Sequence, residues 1–194
     1  MIAIFFVCDG PRDHATVPHI VGRIFGLEIS ANCHHWARLS GGGYGRKLKF
    51  AIRQAKDASA NGLIATVDRD RDKRAQKLKQ LREARESERE THPPYPTACG
   101  EAIPNGEAWL LDDPVAVSNA LGLKSGDEVP TVRKANPNPK EVINKLMGDR
   151  DRMEALESIA KGLDPARCRH ASETGFEDFV RDAQGEFRHL IPKA

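Results

Sequence analysis

The chain has 194 residues, of which 39% are hydrophobic and 6% aromatic, and its 30 Lys and Arg nearly balance 28 Asp and Glu for a formal net charge of +2. The length suits one domain, or one domain with a helical extension, and so even a charge balance favours no class of partner, so partners must be argued from local patches. The four cysteines are scattered and form no Cys-x-x-Cys pair, which argues against a structural zinc site or a disulfide framework; no run approaches the roughly 18 apolar residues of a membrane helix, so a reduced cytoplasmic protein is expected.

In chain order, Ile2–Cys8 is an apolar run that reads as a buried strand and ends in Asp9-Gly10-Pro11-Arg12-Asp13. It is short, lacks a leading basic region and runs straight into acid, so a secretory signal is not expected. Val17, Ile20, Val21, Ile24 and Phe25 have helical spacing, with Thr16-x-Pro18 as a helix start. A strand is expected over Leu27–Arg38. Its Cys33-His34-His35 cannot hold one ion without strain, because neighbouring strand residues point to opposite faces. Ser40-Gly41-Gly42-Gly43-Tyr44-Gly45-Arg46-Lys47 places glycine amides before a helical pattern through Leu48, Ile52 and Ala55. Such a turn suits an anion, with Lys47 as a phosphate contact, although the Walker spacing is absent.

The most informative segment is Gly62-Leu63-Ile64-Ala65-Thr66-Val67, an apolar run that passes into Asp68, Asp70 and Asp72 at every second position. In a strand that alternation aims all three carboxylates to one side. Ala75, Leu78, Leu81 and Ala84 then predict a helix, with Asp72 in its first turn. Strand, acidic turn and helix is where open α/β sheets keep their chemistry, and hard oxygen donors there suit Mg²⁺ or Mn²⁺. The helix carries Lys73, Arg74, Lys77, Lys79 and Arg82 before Glu83, Glu86, Glu88 and Glu90. This order opposes the macrodipole weakly enough for a solvated face, or it places bases beside a phosphate backbone. Trp36 and Tyr44 are weak candidates for stacking on a base.

His92-Pro93-Pro94-Tyr95-Pro96 forms a stiff connector to a strand over Thr97–Ile103, ended by Pro104. Helices follow on Val115, Val117, Ala120 and Leu121 up to Gly122, on Val142, Ile143 and Leu146 after Asn138-Pro139, on Met153–Ala160, and on Phe176–Ala183. Asp112 and Asp113 read as caps, and Leu123–Asn138 as a loop. The expected architecture is an α/β core over 1–122, with a parallel sheet flanked by helices, and a helical extension over 123–194 packed on it.

An apolar strand with an acid-Gly-x-x-Asp turn, followed much later by strand-Asp-x-Asp, resembles the Toprim domain of topoisomerases, primases and the nucleases of the overcoming-lysogenization-defect family. Glu107-Ala108-Trp109-Leu110-Leu111-Asp112-Asp113 is similar to the Glu-Ala-Trp-Leu-Leu-x-Asp signature of a Toprim-like bacterial family, and Asn136–Lys140 to its Asn-Pro-Lys turn. The pattern usually has glutamate where this chain has Asp9. The resemblance implies a Toprim-like Rossmannoid fold and a Mg²⁺ (or Mn²⁺) nuclease, with Asp68 and Asp70 as principal metal ligands. Asp9 would be a ligand or general base, Asp13 and Glu107 would complete a second position, and Lys47 would stabilise charge on the phosphate. It also implies nucleic acid as substrate and an ATPase partner, in some relatives for defence against phage. Two other readings stay open: a non-catalytic module that binds nucleic acid or an ATPase, and a phosphohydrolase acting on a small phosphate ester.

Overall fold

The computed structural model describes residues 1–69, 75–124, 128–135 and 138–191. Strands β1 (Ile2–Cys8), β2 (Ile29–His35), β3 (Gly62–Asp68) and β4 (Thr97–Ala102) form one sheet in the order β2-β1-β3-β4, and every neighbouring pair is parallel. Helices α1 (Pro11–Phe25), α2 (Gly43–Asp57) and α3 (Gln76–Thr91) connect them. The central strands β1 and β3 are covered on both faces, which is why they read as continuous apolar runs rather than alternating ones. Phe5, Val7, Leu63, Ala65 and Val67 face a core closed by α2 and α3. Ile4, Phe6 and Ile64 face the opposite core, beneath α1 and the C-terminal helices. This is the α/β class expected from the sequence.

The C-terminal helices are α4 (Glu107–Leu111), α5 (Pro114–Leu121), α6 (Val132–Ala135), α7 (Pro139–Met147), α8 (Arg152–Gly162) and α9 (Phe176–Phe187). Helix α8 packs along α1, and α9 lies against β4. That close approach requires Gly100, where a Cβ would stand 2.6 Å from the Phe179 ring. Trp109 stacks on Phe179 with ring centroids 4.9 Å apart and donates its indole N–H to the Thr174 carbonyl at 2.8 Å.

The outer edge of β4 is sealed by side chains. Asp182 accepts from the Cys99 N–H at 2.7 Å, Glu186 accepts from the Thr97 N–H at 3.3 Å, and Arg85 donates to the Thr97 carbonyl at 3.0 Å. Arg85 and Glu88 are buried, whereas Lys79, Glu83, Glu86 and Glu90 lie on the solvated charged face that the sequence suggests for α3. The bases in its second half belong to ion pairs with α9, Arg85 to Asp182 and Arg89 to Glu186.

Other expectations need correction. Helix α1 begins at Pro11 rather than at Thr16, and Pro18 lies inside it. An interior proline costs about 3 kcal/mol, whereas each fully buried aliphatic or aromatic side chain contributes roughly 1.5–3 kcal/mol. Val17, Ile20, Val21 and Phe25 are all buried against the core, so packing outweighs propensity. The second strand stops at His35, because Trp36 turns inward through a 3-10 turn and its indole N–H donates to the Thr66 carbonyl at 2.8 Å. At 3% exposure Trp36 is not available to stack on a base. The expected loop over 123–138 contains the one-turn helix α6, held by buried Val129 and Val132. Asp113 does cap α5 by accepting from the Ala116 N–H at 3.1 Å, whereas Asp112 instead accepts from the distant His170 N–H at 2.9 Å.

Candidate functional site

The parallel arrangement brings the C-terminal ends of β1, β3 and β4 to one side of the sheet, and the acidic turns come with them. Asp9 follows β1, and its carboxylate accepts from the backbone N–H of Asp68, the last residue of β3, at 2.7 Å. Asp68 in turn accepts from the Gly106 N–H at 3.0 Å, which ties the end of β3 to the turn before α4. Asp13 enters from the first turn of α1 and accepts from the Gly10 N–H at 2.9 Å, fixing the turn that presents Asp9. A Cβ at Gly106 would stand 2.9 Å from the Asp13 carboxylate, so any other residue there would push that carboxylate aside. Glu107, next in the chain, is the buried first residue of α4.

Asp9, Asp13, Asp68 and Glu107 thus share one corner. Burial, reinforced by the negative charges of Glu107 and Asp9, pushes the Asp13 carboxyl up from 3.8 to about 7. Cys8, wholly buried at the end of β1, is raised by burial and by the same Asp13 charge. Two cations offset the cluster. Arg12 donates to Glu107 at 2.6 Å and to the Asn144 side chain of α7 at 3.0 Å. Lys77, from the first turn of α3, donates to the Asp68 carbonyl at 2.6 Å. On the other side of the β3 end, Arg69 pairs with Glu101 of β4, whose side chain is 2% exposed.

The residues expected at the site therefore divide. Asp9, Asp13, Asp68 and Glu107 come together; Asp70, together with Asp72, Lys73, Arg74, Asn136 and Pro137, lies outside the described residues. Lys47, on α2, donates its ammonium to the Trp36 carbonyl at 2.8 Å and so braces the 3-10 turn after β2. The sequence pattern assigns no role to Arg12, although it lies inside the acid-Gly-x-x-Asp turn, and shows Lys77 only within a run of bases. His34 stacks on Phe5 with ring centroids 4.2 Å apart, and the His35 ring accepts from the Ala37 N–H at 2.9 Å.

The donor set is made of carboxylate oxygens, the hard ligands that suit Mg²⁺ or Mn²⁺. A cavity of about 10 Å³ between Asp13, Asp68, Thr66 and Gly106 has room for about one water-sized occupant. Among the described residues, no three His, Cys, Asp or Glu side chains are gathered closely enough to hold a metal ion as they stand, and Glu107 is engaged by Arg12. In donor type the corner suits a divalent cation, but to hold one its carboxylates would have to draw closer and Arg12 would have to release Glu107.

No family model and no curated protein matches the chain. Among solved structures, it is similar to the C-terminal region of the Xanthomonas campestris pv. campestris OLD protein, at 10% identity and a TM-score of 0.44, with 97% of this chain and 95% of that one covered. No helix among the described residues is long and apolar enough to cross a membrane.

Proposed function

We propose that the chain is a Mg²⁺-dependent nuclease that hydrolyses DNA or RNA phosphodiesters at the corner formed by Asp9, Asp13, Asp68 and Glu107. The observation that carries this reading is the convergence of four carboxylates from three separate turns on one end of the sheet, where burial and, after it, the charges of Glu107 and Asp9 raise Asp13 to about 7. A purely structural cluster gains nothing from such repulsion, whereas a site awaiting a cation does. Asp9, Asp13, Asp68 and Glu107 would hold the ion, with Asp70 as a further ligand from outside the described residues. A bound divalent cation supplies charge stabilisation at a phosphoryl oxygen and lowers the pKa of water.

The chain's own groups would divide the remaining work. Asp9 fixes the backbone of Asp68, and so aims the second strand end. With its carboxyl near neutrality, Asp13 can hold or release a proton at working pH. Arg12 and Lys77 supply positive charge beside the acids, where a phosphate would approach. Lys47 contributes indirectly, by bracing the turn at Trp36. A partner ATPase, implied by the Toprim resemblance, would act in trans.

The Arg12–Glu107 pair also favours a second reading, a non-catalytic module in which Arg12 permanently takes the place of the ion. One experiment separates the two. Labelled single- and double-stranded DNA and a tRNA pool are incubated with Mg²⁺ or Mn²⁺ and wild type, Asp68→Ala or Glu107→Ala. Metal-dependent cleavage, reduced at least about a thousandfold by either substitution, is expected. No cleavage in any metal, together with no heat of metal binding, would leave the module.

A further inference from the structure

The two edges of the sheet are treated differently. That of β4 is closed by Arg85, Asp182 and Glu186, whereas β2 forms the other edge with Ser30, Ala31 and Asn32 exposed. The Ile2 N–H donates to the Glu28 carbonyl at 3.0 Å, which fixes the phase of the β1–β2 ladder. Even-numbered residues of β2 turn their backbone groups towards β1, and Ile29, Ala31 and Cys33 turn theirs outward. Those outward N–H and C=O groups have no hydrogen-bond partner among the described residues. Strand β2, Ile29-Ser30-Ala31-Asn32-Cys33-His34-His35, also carries no Lys, Arg, Asp, Glu or Pro, the residues that ordinarily protect an exposed edge.

We propose that β2 is the seam of a two-fold dimer, pairing antiparallel with β2 of a second copy about an axis at Ala31. The register follows from chemistry. Hydrogen-bonded pairing needs outward-facing residues opposite each other, and centring on Ala31 sets Ile29 opposite Cys33 of the second copy and Ala31 opposite itself. The outward N–H and C=O groups of Ile29, Ala31 and Cys33 in both strands are then used, while His35 falls beyond the seam, opposite Leu27, whose N–H already donates to the Gly22 carbonyl. On the other face of the sheet, the same register sets Ser30 opposite Asn32 and Glu28 opposite His34, so polar meets polar and a carboxylate meets an imidazole. The side chains of the incoming Ile29, Ala31 and Cys33 face a groove of about 630 Å³ beside α1 whose lining mixes apolar Pro18, Leu27 and Ile29 with polar His19, Arg23 and Lys161. The pairing joins two four-stranded sheets into one and leaves the strand ends that carry the acids open.

Sedimentation velocity of the full chain tests this directly. The expected species at micromolar concentration has twice the 21.4 kDa mass of the chain. Ala31→Pro removes an outward N–H that the fold itself does not use, and the double substitution Ser30→Lys with Asn32→Lys sets like charges opposite each other at positions exposed in the single chain. Each is expected to weaken dimerisation at least about tenfold, with an unchanged far-UV spectrum and melting temperature at monomer concentrations. Ala31→Cys is expected to form a covalent dimer on oxidation, since paired residues at this position lie about 5.5 Å apart between Cα atoms. A wild-type monomer throughout the concentration range, or a dimer that persists in the lysine variant, overturns the proposal. If Ala31→Pro fails to fold, the lysine variant and the cross-link still decide the question.

Discussion

Asp13→Asn should make the protein more stable at alkaline pH. Most carboxyl-to-amide changes at a buried, hydrogen-bonded position destabilise, so the sign is informative. The folded-state value of Asp13 is raised from 3.8 to about 7, so below pH 4 the carboxyl is neutral in both folded and unfolded chains and contributes nothing. Between pH 4 and 7 the folded chain holds a proton that the unfolded chain has lost, and stability falls as the pH rises. Above pH 7 the full penalty is present. At 1.36 kcal/mol per pKa unit the gap is worth about 4 kcal/mol, and solvent screening at this partly accessible carboxyl reduces it to roughly 2–4 kcal/mol. Asparagine keeps an oxygen to accept from the Gly10 N–H and removes the charge facing Asp9 and Glu107. Thermal melts at pH 4 and pH 8 provide the assay. Expected are near-equal melting temperatures at pH 4 and a gain of roughly 5–15 °C for the variant at pH 8. A variant no more stable than wild type at pH 8 would refute the claim that burial and the neighbouring charges of Glu107 and Asp9 penalise an ionised Asp13, and would weaken the case for a cation site.

Two further substitutions test the frame that holds the corner. Arg69→Ala strands the Glu101 carboxylate, 2% exposed, beneath the end of β3, and a loss of about 3–5 kcal/mol in denaturant unfolding is expected, largely recovered when Glu101→Leu is added. Gly100→Ala drives a methyl group to within 2.6 Å of Phe179 and should cost about 1–3 kcal/mol by overpacking, measured as a lower melting temperature with an unchanged denaturant m-value.

What the sequence reveals and what it hides follow from the range of the interactions. Strands β1 and β3 are legible because two-sided burial leaves uninterrupted apolar runs, and the acids are legible because they end those runs abruptly. The start of α1 is not, because Thr16-x-Pro18 reads as a helix start, while long-range burial of Val17, Ile20 and Val21 lets the helix carry Pro18 in its interior. The buried charges of α3 are equally hidden: Arg85 looks like a surface residue until α9 supplies Asp182 and Glu186 from nearly a hundred residues away, and Glu88 until α2 supplies Lys49. Lys47 shows the same limit at the site. Its place in a glycine-rich turn suggests a phosphate contact, but the inward turn of Trp36 provides a carbonyl that takes its ammonium.

The charge pattern of the corner links its architecture to its chemistry. Among the described residues Asp9, Asp13, Asp68 and Glu107 are set against Arg12 and Lys77, so carboxylates outnumber cations by four to two. The chain by itself tolerates that excess by protonating Asp13 and by clamping Glu107 with Arg12. A divalent cation in the same corner would make both devices unnecessary: it would favour the ionised form of Asp13 and compete with Arg12 for Glu107. Binding of such an ion must therefore release a proton below pH 7 and tighten as the pH rises, because a proton and a cation compete for one carboxylate. An ion that bound with equal affinity at pH 5.5 and pH 8 would have to be held somewhere other than beside Asp13.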